Sequence, residues 1–142
     1  MEEQELYMTR KLLQLARMIT HRRNAELSVL GLTASQADAL NYFFDHPQKT
    51  VADLKQYLGV THQTACGLVD RMADKELLTL APSMEDGRCK LVSVTAKGQS
   101  LVAQMAKNRG ATAQAMVQGM TEAECQAFYA LLLKALDNMS DE

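Results

Sequence analysis

Apolar residues recur at helical spacing along most of this chain, and short polar segments with helix-capping residues separate the helical stretches. Apolar positions three or four residues apart between about Glu5 and Leu30 predict a long helix that Gly31 ends. The same spacing predicts further helices from after Thr33 to His46, from Val51 to Leu58, after Thr61, from after Thr95 to about Gln118, and after Thr121. The chain is therefore predicted to be mostly α-helical.

Threonine N-caps mark the starts of these helices. The segments 33–36 and 121–124 have the capping-box pattern, in which the threonine hydroxyl and a Gln or Glu side chain accept from free backbone N–H groups. Gly59 suits the left-handed position that closes a helix, and only Val60 separates it from Thr61, the predicted cap of the next one. Two short helices joined this tightly predict a helix-turn-helix.

The helix after Thr61 has one apolar and one polar face. Its apolar residues lie at positions i, i+3, i+4 and i+7 and predict one buried stripe of Ala65, Leu68, Val69 and Met72. The apolar segments 77–80 and 91–94 are predicted to pair as antiparallel strands, with Asp86 and Gly87 supplying the turn between them. We therefore predict a mostly α protein with a small β-wing, a winged helix-turn-helix.

Length and composition narrow the class of protein. With 142 residues and 47% hydrophobic content, the chain suits one domain with an ordinary core. The apolar runs are short, and the N-terminus is acidic where a signal peptide would be basic, so we expect a cytoplasmic protein without a membrane span. The net charge of −2 neither favours nor excludes DNA binding, because binding fields are local. The three cysteines are widely spaced and are expected to be reduced.

Several motifs resemble, in order and spacing, those of the MarR family of bacterial transcription regulators over nearly the whole chain. The sharpest is Asp86-x-Arg88 followed by Val94-Thr95-x-x-Gly98, which is similar to the wing signature of that family. Segments 32–36, 54–61 and 68–72 also fall at the family's spacing. No single motif is decisive, but the set in this order is specific.

The resemblance implies a homodimer that binds a pseudo-palindromic operator in double-stranded DNA. Residues 1–142 would form one domain, with dimerisation helices in 1–31 and 99–142 and the winged helix-turn-helix in 32–98. The resemblance also implies a repressor released by a small aromatic or phenolic effector, or by oxidation, with a ligand pocket that we place at Met18, His21 and Phe43. The last helix is expected to bury its apolar face, which consists of Phe128, Leu131, Leu132, Ala135 and Leu136.

The residues predicted to contact DNA lie on the polar face of the second helix of the helix-turn-helix and in the wing. They are Thr61, His62, Gln63, Thr64, Gly67, Arg71, Arg88 and Lys90. Gln63 and Thr64 are expected to reach base edges or phosphates, since glutamine pairs well with adenine. Arg88 resembles the wing arginine that enters the minor groove, and Asp86 and Gly87 are expected to shape the wing turn.

Departures from the family pattern remove positive charge from this predicted DNA face. The family often has other residue types, several of them basic, where this chain has Cys66, Gly67, Glu76, Leu80, Ala81 and Gly87. Each lost phosphate contact lowers both the affinity for DNA and its salt dependence. We therefore expect weaker binding or an unusual operator. A winged-helix protein–protein adaptor that has lost DNA binding stays open as an alternative.

Cysteine and histidine side chains could support redox control, metal binding or catalysis. Cys66 lies near the positive end of a predicted helix, where thiols react readily, so redox control through Cys66 is a further alternative. His62 and Cys66 have a spacing that can hold zinc, but no second pair of ligands lies nearby in sequence, so we expect no metal and no cofactor. No catalytic constellation is recognisable, since the histidines lie in separate elements, and we predict that the protein is not an enzyme.

Overall fold

The structure, a computed structural model, describes residues 2–83 and 89–140 of the chain. Its elements in chain order are α1 (Glu2–Val29), α2 (Ala34–Asp45), β1 (Lys49–Thr50), α3 (Val51–Leu58), α4 (His62–Asp74), β2 (Leu78–Pro82), β3 (Lys90–Val94), α5 (Ala96–Met116) and α6 (Glu122–Met139). The predicted class, mostly α with a small β-wing, is confirmed. Within the described ranges, no helix is both long and apolar enough to cross a membrane.

The predicted helix boundaries are confirmed by the caps that the structure contains. The Thr33 hydroxyl accepts from the Gln36 N–H at 3.2 Å, while the Thr33 N–H donates to Gln36 Oε1 at 3.2 Å. Thr121 and Glu124 form the same reciprocal pair at the start of α6. Gly59 ends α3 in the left-handed region, with φ of 67°. These signals need only a few neighbouring residues, which is why they can be recognised from the sequence.

The three strands form one antiparallel sheet in the order β1-β3-β2. Strands β2 and β3 are the predicted pair and run in register from Leu78 opposite Val94 to Pro82 opposite Lys90. Strand β1 was not predicted, because it has only two residues and is defined by pairing with β3. The predicted turn residues Asp86 and Gly87 lie outside the described residues.

The buried stripe of α4 packs into the core, as predicted. Its residues Ala65, Leu68, Val69 and Met72 are at most 5% exposed. Leu68, Val69 and Met72 belong to one apolar cluster with residues from α2, α3 and the sheet, namely Leu40, Phe43, Leu54, Leu78 and Val92. This packing determines which face of α4 remains accessible.

Two backbone segments approach each other closely: residues 76–77, between α4 and β2, and residues 95–98, at the start of α5. The Thr95 hydroxyl donates to the Glu76 carbonyl at 2.6 Å, and the Thr95 N–H donates to the Leu77 carbonyl at 3.0 Å. Glu76 itself has a φ of 63°, in the left-handed region that favours glycine. A Cβ atom added to Gly98 would lie 2.5 Å from the Leu77 carbonyl oxygen. Only glycine fits at position 98 without displacing backbone.

Helix α3 begins with a capping box that involves a carboxylate. The Thr50 N–H donates to Asp53 Oδ2 at 2.9 Å, and the Asp53 N–H donates to the Thr50 hydroxyl at 3.2 Å. The hydrogen bond from the Thr50 backbone holds the pKa of the Asp53 carboxyl below its usual value of 3.8. Behind it, the rings of Tyr42 in α2 and Tyr57 in α3 stack with centroids 4.5 Å apart. Burial, followed by the Asp53 charge, raises the pKa of Tyr42.

The chain divides into two compact units, residues 1–109 and 110–142, and the second contains α6. No residue of α6 is buried within the single chain, so the predicted burial of its apolar face is wrong at this level. Phe128 and Leu132 are half-buried and Ala135 is exposed. Leu131 and Leu136 are 62% and 65% exposed. An amphipathic pattern shows that a face is apolar but does not say whether the same chain covers it.

We expect Gly98→Ala to destabilise the fold by about 1–3 kcal/mol, because the added methyl group collides with the Leu77 carbonyl. Gly110→Ala is the matched control in the same helix, since nothing lies within 4 Å of the added Cβ. This control should leave stability unchanged or raise it by up to about 1 kcal/mol. Urea unfolding of the two variants tests the difference, and equal stabilities would contradict the close approach.

We expect Asp53→Asn to lower stability at neutral pH by about 1 kcal/mol or less, because the ionised carboxylate accepts from the Thr50 N–H. The folded pKa lies below 3.8, so this stabilisation is complete above that value and is lost as pH falls through the folded pKa. The stability difference from wild type, measured by urea unfolding, should therefore shrink between about pH 6 and about pH 3. Asp74→Asn, at an exposed position, is the control for charge. A pH-independent difference would contradict the assignment.

Candidate nucleic-acid interface

The N-terminus of α4 presents polar side chains outward. The Thr61 hydroxyl accepts from the Thr64 N–H at 3.1 Å and donates to the Thr64 hydroxyl at 2.8 Å. Thr61 is therefore primarily the cap of α4, as predicted. His62 and Gln63 follow it and are exposed. The first turn of α4 thus combines exposed hydrogen-bonding side chains with the positive end of the helix dipole, an arrangement that attracts phosphate.

Farther along the same face, Arg71 lies close to Gly67. The Arg71 Nη2 atom is 3.8 Å from the point where a Cβ on Gly67 would lie. The guanidinium therefore extends back along α4 over position 67, where the sequence lacks a side chain. One exposed surface thus contains the predicted residues His62, Gln63, Thr64, Gly67 and Arg71. The neighbouring Asp70 carboxylate is also exposed and opposes the Arg71 charge.

A groove adjoins this face of α4. It has a volume of about 310 Å³, and its walls come from the start of α3, from α4, and from the strands and the segment that precedes β3. The lining residues are Thr50, Val51, Ala52, His62, Cys66, Asp70, Leu80, Cys89 and Lys90. Lys90 is exposed at the start of β3 and contributes a cation to the groove. The fold therefore brings Lys90 to the same groove as His62, as the winged-helix prediction requires.

Two groups in this groove are in direct contact. His62 Nε2 and Cys66 Sγ are 3.3 Å apart, within hydrogen-bond distance for sulfur. Their spacing in the sequence also suits two ligands of a zinc ion, which is a weak metal site by itself. In residues 2–83 and 89–140, no three or more His, Cys, Asp or Glu side chains come together as metal ligands. A thiol–imidazole pair is therefore what the geometry provides.

Two sets of predicted site residues are not brought together here. Asp86, Gly87 and Arg88 lie outside the described residues, so the proposed contact of Arg88 with the minor groove stays a prediction. Of the pocket residues suggested by the resemblance, Phe43 is buried in the core at 2% exposure, while Met18 is 62% exposed. His21 lines an open groove on α1 whose walls contain neither of the other two.

Two features of this site were not predicted from the sequence. Cys89 lines the same groove as Cys66. The pairing of β1 with β3 brings Thr50 opposite Leu91. Both features depend on contacts between distant parts of the chain, and no local pattern signals them.

Comparison with known proteins supports the fold. Residues 30–88 match a family model described as MarR family. An E. coli MarR mutant is 26% identical with a TM-score of 0.76, covering 90% of this chain and 95% of that one. A mutant of S. aureus MepR bound to an oligodeoxyribonucleotide is 24% identical with a TM-score of 0.73, covering 95% and 97%. Bacillus subtilis YusO is 18% identical with a TM-score of 0.86, covering 96% of each chain. Among curated proteins no sequence matches. The resemblance inferred from the sequence motifs is confirmed.

Proposed function

We propose that this chain, a winged helix-turn-helix protein of the MarR type, is a transcriptional regulator that binds double-stranded DNA. The observation that carries the proposal is the exposed polar face of α4, which begins at an exposed helix N-terminus and adjoins Lys90 of the wing. An α-helix presented in this way fits the major groove. One structurally similar protein, the S. aureus MepR mutant, is bound to an oligodeoxyribonucleotide.

The residues of this face have separate proposed roles. Gln63 and Thr64, in the first turn of α4, contact base edges, where glutamine reads adenine. His62, Arg71 and Lys90 contact phosphates, together with the N-terminal end of the α4 dipole. Thr61 positions this turn through its cap, and Arg88 reads the minor groove from the wing. With few cations in the described part of this surface, we expect modest affinity with a shallow salt dependence.

We propose that the protein acts as a homodimer on a pseudo-palindromic operator. In the single chain α1 has one buried residue, Leu27, and exposes a series of large apolar side chains: Leu6, Tyr7, Met8, Leu12, Leu13, Met18 and Ile19. Helix α6 exposes Tyr129, Leu131, Leu133 and Leu136. Surface of this kind marks an interface between proteins. The terminal segments 1–31 and 99–142 would then join two copies, with 32–98 as the winged unit of each.

The finer proposal is a cytoplasmic repressor released by a small aromatic or phenolic effector, without catalytic activity of its own. This part rests on the resemblance of the motifs to those of the family. A protein–protein adaptor is the competing function, favoured by the scarcity of cations on the α4 face. The DNA experiment separates the two, because an adaptor would show only weak retention that is independent of sequence.

We expect specific binding to duplex DNA from upstream of the protein's own gene. The measurement is fluorescence anisotropy at low and physiological salt, beside a scrambled duplex. A regulator should prefer the upstream duplex by ~10³ or more. Equal binding to both duplexes that disappears with salt would contradict sequence-specific readout at this site and favour the adaptor.

Two variants assign roles within the same assay. Arg71→Ala should weaken binding to all duplexes and reduce the salt slope by about 2 per dimer, one phosphate contact per subunit. Gln63→Ala should instead lower the preference for the operator, by about tenfold or more, with little change in slope. Lys107→Ala removes an exposed cation of α5 outside this surface and is the control. If Lys107→Ala changed the slope as much as Arg71→Ala, the assigned phosphate contact would be wrong.

We expect Leu13→Glu to weaken the dimer, because it places a charge on the exposed apolar face of α1, where Leu13 is 60% exposed. Gln14→Glu adds the same charge at the next, also exposed, position and is the control. Light scattering during size-exclusion chromatography reads the mass directly. A dimer that persists unchanged in Leu13→Glu, or dissociates equally in both variants, would count against α1 as the interface.

A further inference from the structure

The thiol–imidazole contact on α4 resembles the first half of a nucleophilic site. Cys66 Sγ lies 3.3 Å from His62 Nε2, one helical turn earlier, and both side chains line the 310 Å³ groove. We propose that Cys66 is a reactive nucleophile, with His62 as its base, that captures soft carbon electrophiles such as α,β-unsaturated carbonyl compounds or quinones. The covalent step does not require DNA. Its regulatory consequence rests on the function proposed above.

The geometry supports proton transfer from Cys66 to His62. In the tautomer with Nε2 unprotonated, the Cys66 thiol donates to Nε2, which is the arrangement of a nucleophile and its base. Lys90 and Asp70 line the same groove, so the pair lies between a cation and a carboxylate. His62 is exposed and Cys66 half-buried, so a small molecule can reach the pair.

The groove favours a carbon electrophile of moderate size. Its walls include apolar side chains of Val51 and Leu80 together with the polar groups of His62 and Lys90. Apolar walls with a few convergent polar groups are typical of small-molecule sites, and a volume of about 310 Å³ is at the lower end of their range. A carbonyl compound can place its carbon skeleton against the apolar wall and its oxygen near Lys90.

The addition balances without any further reactant. His62 accepts the thiol proton, and the sulfur lone pair forms a bond to the β-carbon of the electrophile. The π electrons of that double bond move toward the carbonyl oxygen and give an enolate. The proton held on His62 is then delivered to the α-carbon, directly or through water. The products are a thioether and a neutral imidazole, and no oxidant or reductant is consumed.

The adduct would occupy part of the surface proposed to bind DNA. His62 and Lys90 belong both to that surface and to the groove. A carbon skeleton attached to Cys66 therefore competes with phosphate for the same groups. Capture of an electrophile would release the regulator from its operator without any change in the spacing of the subunits.

The test measures the alkylation rate at each cysteine of the wild-type protein with N-ethylmaleimide, by quenching and peptide mass mapping. Cys66 and Cys125 are both half-buried in the single chain, so exposure there predicts similar rates. Because Cys125 lies in α6, which the proposed dimer would cover, the comparison is repeated in the Leu13→Glu variant. We expect Cys66 to react at least about tenfold faster than Cys125, and the two rates to converge in urea. A Cys66 rate equal to or below that of Cys125 in the folded protein would overturn the proposal.

The decisive variant is His62→Gln, which keeps a polar side chain but removes the base. It should slow alkylation of Cys66 by about tenfold or more and leave the rate at Cys125 unchanged, which also shows that the fold is intact. An unchanged Cys66 rate would show that His62 is not its base. If the variant failed to fold, the wild-type comparison with urea would still decide whether Cys66 is activated.

Alkylation in the presence of DNA tests the reactive thiol separately from the proposed DNA-binding function. Operator DNA, once found by anisotropy, should protect Cys66 from alkylation and leave Cys125 unprotected, and alkylated protein should lose binding. Alkylated protein that still binds the operator at wild-type affinity would overturn the regulatory consequence. Should no DNA bind at all, the function proposed above fails, while the rates at Cys66 and Cys125 still test the reactive pair.

Discussion

The winged unit depends on the close approach of two backbone segments at Leu77 and Gly98. The Leu77 carbonyl accepts from the Thr95 N–H, and the absence of a side chain at Gly98 lets α5 begin directly against it. This contact joins the end of α4 to the start of α5. It therefore holds together the residue before β2 and the residue after β3, which are the two ends of the wing. Lys75 extends the connection by donating to the Gly31 carbonyl at 2.7 Å. The angle between α4 and the wing is thereby constrained by backbone contacts as well as by side-chain packing.

With α4 held in this position, its buried residues determine which of its side chains are exposed. Since Ala65, Leu68, Val69 and Met72 point into the core, the opposite face must contain the residues at 62, 63, 66 and 70. This face has hydrogen-bonding groups and a helix N-terminus but little net positive charge, because Arg71 is next to Asp70. Recognition by such a surface would depend more on directed hydrogen bonds than on counterion release, which favours selectivity over affinity.

How far the sequence predicts this structure depends on the range of the interactions concerned. The caps at Thr33, Thr61 and Thr121 and the turn at Gly59 involve groups a few residues apart, and all were predicted. The two-residue strand β1 and the groove were not, because they arise from pairing between distant segments. The apolar face of α6 was recognised, but its burial was wrongly assigned, since periodicity does not identify the covering surface. Glu76 shows a different limit: its left-handed backbone is imposed by the crossing at Leu77, against its own preference.

The proposed DNA contacts and the proposed reactive thiol would lie on one helix, α4. If DNA and a small electrophile contact the same groups, His62 and Lys90, each excludes the other by occupancy and no conformational relay is needed. An effector bound elsewhere can shift the equilibrium only by its differential affinity for two conformations. A covalent adduct is not limited by that difference, because the new carbon–sulfur bond holds it in place. The regulator would stay off its operator for as long as the adduct lasts. Cys66 is the residue that would make this possible.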